Sequence, residues 1–115
     1  MEKILTYEDK QVNFKATAAL PLRYKAQFGR DMFNDVSAIN KCWHPLEDGQ
    51  GGYFDETLNL DLVYNLVWAM AKTADQNIKP PMEWYDEFET GLPVFKWFAE
   101  LSEMLVASLT GTKKN

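Results

Sequence analysis

Three short stretches carry residue types that could do chemistry. Cys42-Trp43-His44 sets a thiol and an imidazole two residues apart, the pair from which a Cys–His nucleophile or the start of a metal site is built. A metal site needs three or four ligands, and this chain holds a single Cys and a single His. A nucleophile needs an oriented base, which neighbours this close rarely provide, so a structural role is expected for both. Glu83, Asp86, Glu87 and Glu89 gather carboxylates of the kind used in acid–base work. They fall on the polar side of a short amphipathic segment, with no apolar pocket to shift a pKa, and read as a solvated face. Gly49-Gln50-Gly51-Gly52 has the glycines of a phosphate-binding turn. It lacks the Lys-Ser/Thr of a P-loop and the buried strand that precedes a dinucleotide-binding turn. No catalytic residue, cofactor or metal ligand is expected, and the chain reads as a non-enzyme.

The elements around these stretches are mostly helical. Lys3–Tyr7 and Gln11–Lys15 alternate partly between apolar and polar residues and flank a polar Glu8-Asp9-Lys10, which predicts a hairpin over 3–15. Helices are expected from 18 onward. Pro21 suits a first helical turn, and Thr17 stands where it could help cap that end. Leu22, Ala26, Gly29 and Phe33 recur at helical spacing, with Gly29 either closing one helix before another or allowing a close approach. Trp43–Tyr53, with Pro45, Gly49, Gly51 and Gly52, reads as a mobile loop or an irregular connection. The longest helix is expected from Asp55 or Thr57 to about Asp75. It is apolar around most of its girth, so more than one neighbour must cover it. Pro80-Pro81 breaks the chain. A short helix with Trp84, Tyr85 and Phe88 inward follows, and Gly91 suits its left-handed cap. Pro93 opens a last helix carrying Val94, Phe98, Leu101 and Leu105 on one face, with Gly111 at its end. The expectation is a mainly α fold, a compact bundle of about five helices with a short N-terminal β-hairpin, forming one domain over 1–112 and a polar tail over 113–115.

Composition narrows the function classes. The 115 residues include 12 Lys and Arg against 17 Asp and Glu, a net charge of −5. An acidic balance disfavours nucleic-acid and anionic-membrane partners, which are held by dense basic patches. With 46% hydrophobic and 14% aromatic residues, the chain is rich enough in apolar side chains for one real core. A lone cysteine forms no intramolecular disulfide. There is no basic-then-apolar leader and no run near the ~20 apolar residues a bilayer requires, so a soluble intracellular protein is expected. Charge is uneven: the first 41 residues hold 7 basic and 5 acidic side chains, and residues 42–112 hold 3 and 12. Such asymmetry either orients subunits head to tail or reflects solvated helix faces.

The stretch Phe14–Asp31, with Leu20-Pro21-Leu22-Arg23-Tyr24 and Phe28-Gly29-Arg30-Asp31, resembles the N-terminal signature of the tail assembly chaperones of long-tailed phages and prophages of Gram-positive bacteria. Asp61–Asp75 resembles that family's central helix, which ends in an Ala-Lys-x-Ala-Asp step, here Ala71-Lys72-Thr73-Ala74-Asp75. Glu83–Phe88 is similar to its Trp-Leu-x-x-Phe segment, with Tyr85 in place of the usual Leu. The Trp43–Tyr53 stretch fits no part of the pattern. The resemblance implies a non-enzymatic role in the host cytoplasm. Such chaperones self-associate, coat the aggregation-prone tape-measure protein while the tail tube polymerises, and are absent from the mature virion. Many also occur in a longer form made by a −1 ribosomal frameshift, whose extension is believed to recruit the tail-tube protein. Lys113-Lys114-Asn115 can be encoded by A-rich codons that form a slippery heptamer, so it is a candidate frameshift site. AAG at both lysines, or no overlapping frame downstream, would overturn that reading.

Residue roles follow from the resemblance and from side-chain chemistry. Arg23 and Arg30 are bidentate donors and Asp31 a candidate acceptor, pairing within one chain or across a subunit contact. Tyr24 and Phe28 are expected to anchor the hairpin on the helices. Interfaces favour Trp, Tyr, Phe and Met, and the aromatic load (7 Phe, 5 Tyr, 4 Trp) is high for one small core. Trp68, Trp97 and Met104 are therefore candidates to line a partner groove. The alternative from another class is a structural virion component, such as a tail-completion or head–tail joining protein.

Overall fold

The structure is a computed structural model that describes residues 1–111. The tail Lys113-Lys114-Asn115 lies outside the described residues. The chain runs β1 (Glu2–Tyr7), β2 (Lys10–Lys15), α1 (Leu20–Phe28), α2 (Met32–Lys41), β3 (Trp43–Pro45), β4 (Gly52–Phe54), α3 (Leu60–Ala74), α4 (Pro81–Asp86) and α5 (Val94–Thr110). Helix dominates, and the expected N-terminal hairpin is present. The described residues are nevertheless not a pure bundle, because β3 and β4 form a second small antiparallel sheet.

β1 and β2 pair antiparallel in the register Glu2↔Lys15 to Tyr7↔Lys10. Strand alternation puts Leu5 and Phe14 into the core and leaves Ile4 in water. A two-stranded hairpin is marginal by itself. Here it lies on α3 and α5, and Phe14 meets Trp97 edge-on at 5.4 Å between ring centroids. Lys3 Nζ also donates to the Glu100 carbonyl at 3.3 Å.

α3 is the central helix. Leu62, Val63, Leu66, Val67, Trp68, Ala69, Met70 and Ala71 are all buried, with α1, α2, α5 and β2 packed around them. It starts later than expected. Asn59 caps it, accepting from the Asp61 N–H at 3.0 Å. Asp55 and Thr57 instead build a turn before it, with the Asp55 carboxylate accepting from the Thr57 N–H at 2.9 Å.

Gly29 (φ 68°) closes α1 in the left-handed region, and its N–H bonds the Lys25 carbonyl at 2.8 Å. α2 then begins at Met32 with Asp31 as its cap, accepting from the Asn34 N–H at 3.0 Å. Thr17 does not cap α1. Its hydroxyl accepts from the Ala19 N–H at 3.3 Å, two residues before the cap position, which Ala19 occupies without a side-chain bond. Gly91 (φ 88°) likewise sits beyond the end of α4, whose C-cap is Glu87. No helix among the described residues is long and apolar enough to cross a membrane.

Candidate interaction surface

Phe14–Asp31 folds into the end of β2, α1 and the turn into α2, and one buried carboxylate on α2 locks the two helices together. Asp35, on α2, is 3% exposed and is the buried charged residue of the described core. Its Oδ2 accepts from Tyr24 Oη at 2.6 Å and from Arg30 Nε at 2.8 Å, and its Oδ1 accepts from Arg30 Nη2 at 2.9 Å. Burial pushes the carboxyl's pKa up, but the bonds from Arg30 and Tyr24 outweigh it and hold Asp35 below the usual carboxylate range. Burial also pushes the Tyr24 phenol well above its ordinary value, and the Asp35 carboxylate adds to that shift.

Arg30 therefore pairs within the chain, and its acceptor is Asp35 rather than Asp31, which is occupied as the cap of α2. Arg23 reaches from α1 to α3, donating from Nη1 to Thr73 Oγ1 at 3.0 Å. The Thr73 hydroxyl in turn donates a hydrogen bond to the Ala69 carbonyl at 2.8 Å. The Tyr24 and Phe28 rings lie tilted to each other at 5.1 Å, and Phe28 meets Trp68 edge-on at 5.8 Å. Tyr24 and Phe28 thus tie α1 to α2 and α3, within the same core cluster as Leu5 and Phe14 of the hairpin.

Trp68, Trp97 and Met104 are each at most 3% exposed, so in the single chain they are core residues. Trp68 Nε1 is satisfied by the Lys79 carbonyl at 3.0 Å, which fixes the loop before α4.

The uncovered apolar surface lies elsewhere. β3 and β4 stand against α5 and leave a cleft of about 670 Å³ lined mainly by Trp43, Tyr53, Phe54, Phe95 and Ala99. Aromatic contacts hold its walls: Trp43 on Phe54 at 5.0 Å, and Phe54 on Phe95 at 5.6 Å. Tyr53 is still 56% exposed and Phe95 47%. Gly52 makes the hairpin possible, because a Cβ there would stand 2.5 Å from the His44 carbonyl oxygen and 2.7 Å from Trp43 Cζ2. The side-chain clasp is His44 Nε2 against Asp55 Oδ2 at 2.5 Å, with His44 stacked on Tyr53 at 5.1 Å. The Thr57 bonds and the His44 contact lower the Asp55 pKa to about 2.

Cys42 does not face His44 as a nucleophile would. Its Sγ donates to the Ala38 carbonyl at 3.4 Å and lies 3.3 Å from Thr57 Oγ1. Among the described residues no three His, Cys, Asp or Glu side chains group as a metal site would require. Sequence reasoning missed Asp35, Tyr53 and Phe95. Phe95 had a usable signal, an apolar residue off the buried face of a helix whose other large residues lie inward. No family model, curated protein or solved structure matches the chain.

Proposed function

We propose that this chain is a non-enzymatic phage tail assembly chaperone that self-associates and holds the tape-measure protein during tail morphogenesis. The observation that carries the reading is the fate of the Leu20–Asp31 signature. Its conspicuous polar residues are spent on internal order, Arg30 and Tyr24 on Asp35 and Arg23 on Thr73, giving a rigid α1–α2 unit. Large apolar side chains are left in water on this unit, Leu22 and Phe33, and on α4, Met82. Apolar side chains held in water on a folded helical frame would give a long apolar helical client something to pack against.

The client would be the tape-measure protein. A tail-tube protein would be engaged only through a longer frameshifted form, and the work would be done in the host cytoplasm, outside the mature virion. The decisive experiment is co-expression with the large coiled-coil-like protein encoded downstream. A partner that is insoluble alone and co-purifies soluble with this chain supports the reading. A partner soluble alone that forms no complex, with this chain found in purified particles, replaces it with a structural virion component.

A further inference from the structure

The exposed side of α5 reads the same in both directions. Phe95, Ala99, Ser102 and Val106 follow one another at spacings of four, three and four, large–small–small–large. At 3.6 residues per turn they fall within roughly 60° of one another. Phe95, Ala99 and Val106 are exposed, and Ser102 is half-buried. The Ser102 hydroxyl donates back to the Ala99 carbonyl at 2.9 Å, so the stripe can lose water without orphaning a polar group.

A two-fold axis between Ala99 and Ser102 superimposes this pattern on itself. Two antiparallel copies of α5 would then place small residues at the crossing point, where backbones approach, and Phe95 of each beside Val106 of the other. Charge supports the same occupant. Lys96 and Glu103, both exposed, lie one heptad apart on one flank of the stripe. In an antiparallel two-fold pair, equal flanks face each other, so Lys96 meets Glu103 of the second copy twice over. Tyr53 on the second hairpin walls the cleft into which the incoming helix would settle.

We infer that the α5 stripe is a self-association seam whose occupant is the α5 of a second copy, packed antiparallel about a two-fold axis. This rests on the self-association half of the function proposed above and gives it a surface. The test uses the purified chain alone, by sedimentation velocity from micromolar to submillimolar concentration. The expected result is a rise from 13.3 kDa to twice that mass.

Lys96→Glu and Glu103→Lys each set like charges against each other and should weaken the pair about tenfold. The double variant K96E/E103K should return to within about threefold of the original, since it restores both contacts. Ala99→Arg, which fills the crossing point, should remain a monomer. Far-ultraviolet circular dichroism establishes that each variant is folded. A chain that stays at 13.3 kDa throughout overturns the seam. So does a folded A99R that still pairs, or a double variant no better than either single one. A chain that pairs but leaves the tape-measure protein insoluble keeps the seam and removes the chaperone reading, so the two failures are separable.

Discussion

Tyr24→Phe removes one atom from the α1–α2 lock and tests whether that atom matters. The ring stays, so no cavity opens. What is lost is the phenolic donor to Asp35 Oδ2 at 2.6 Å. A hydrogen bond to a charged group is worth about 1.5–3 kcal/mol. Asp35 keeps both Arg30 bonds, at 2.8 and 2.9 Å, and is not left unpaired, which places the cost at the lower end, about 1.5–2 kcal/mol. For a domain of this size roughly 4 °C of Tm accompanies each kcal/mol, so a fall of about 6–8 °C is expected at neutral pH.

The acid limb is a second readout. The Asp35 pKa is held below its usual value in the folded state. Its stabilising contribution is therefore complete above the unfolded-state value and fades as pH drops through the folded one. The gap between the original chain and Tyr24→Phe should narrow over that range, because the protonated acid is a weaker acceptor. Thermal melts by circular dichroism at a series of pH values supply both numbers. A loss under 2 °C at neutral pH, or a gap that stays constant to the acid limit of folding, would refute the reasoning.

Gly52→Ala should force β3 and β4 apart, because its Cβ would meet the His44 carbonyl oxygen and the Trp43 ring on β3, and the shift should appear as altered Trp43 fluorescence and new amide shifts over 43–54. The Asp55 carboxyl should titrate near pH 2 by carbon NMR and move up toward its ordinary range in Thr57→Val and His44→Ala. Stability that depends on ionised Asp55 is present above the ordinary carboxylate pKa and is lost as pH falls toward 2. Trp97→Ala should cost about 3–5 kcal/mol in urea unfolding, since it empties the contact between hairpin and α5. Gly29→Ala should cost about 1 kcal/mol by the same assay, because an L side chain resists the left-handed turn between α1 and α2.

The parts of this fold written in period are legible in the sequence. α3 and α5 carry helical repeats over 15 and 17 residues, and the first hairpin alternates over 6-residue strands. β3 and β4 have three residues each, too few to show alternation, and their glycines look the same as those of an irregular loop. The acceptor for Arg30 is hidden in the sequence for a related reason. Asp31 is its neighbour in sequence, but the turn at Gly29 redirects the chain so that Asp35, one turn into α2, faces back across it. The aromatic load pointed toward an interface, whereas edge-on contacts such as Phe14–Trp97 and Phe28–Trp68 use much of it in the core. The surplus on the surface sits at Tyr53, Phe95 and Phe33, positions that only the packing of their neighbours singles out.

The attachment of the first hairpin to the last helix sets a clock on synthesis. Tyr7 is bonded to Thr90, 83 residues on, and Lys3 to Glu100, 97 residues on. The hairpin made first has no stable form of its own until the residues it rests on exist. At ribosomal speeds of about 5–20 residues per second, a separation of 83 residues is on the order of 4–17 s. For that interval two strands with open edges and an apolar face wait beside other nascent chains on the same message. Neighbouring ribosomes then hold several identical unfinished copies close together, and slowing translation between α3 and α5 would lengthen the time in which those copies could pair wrongly.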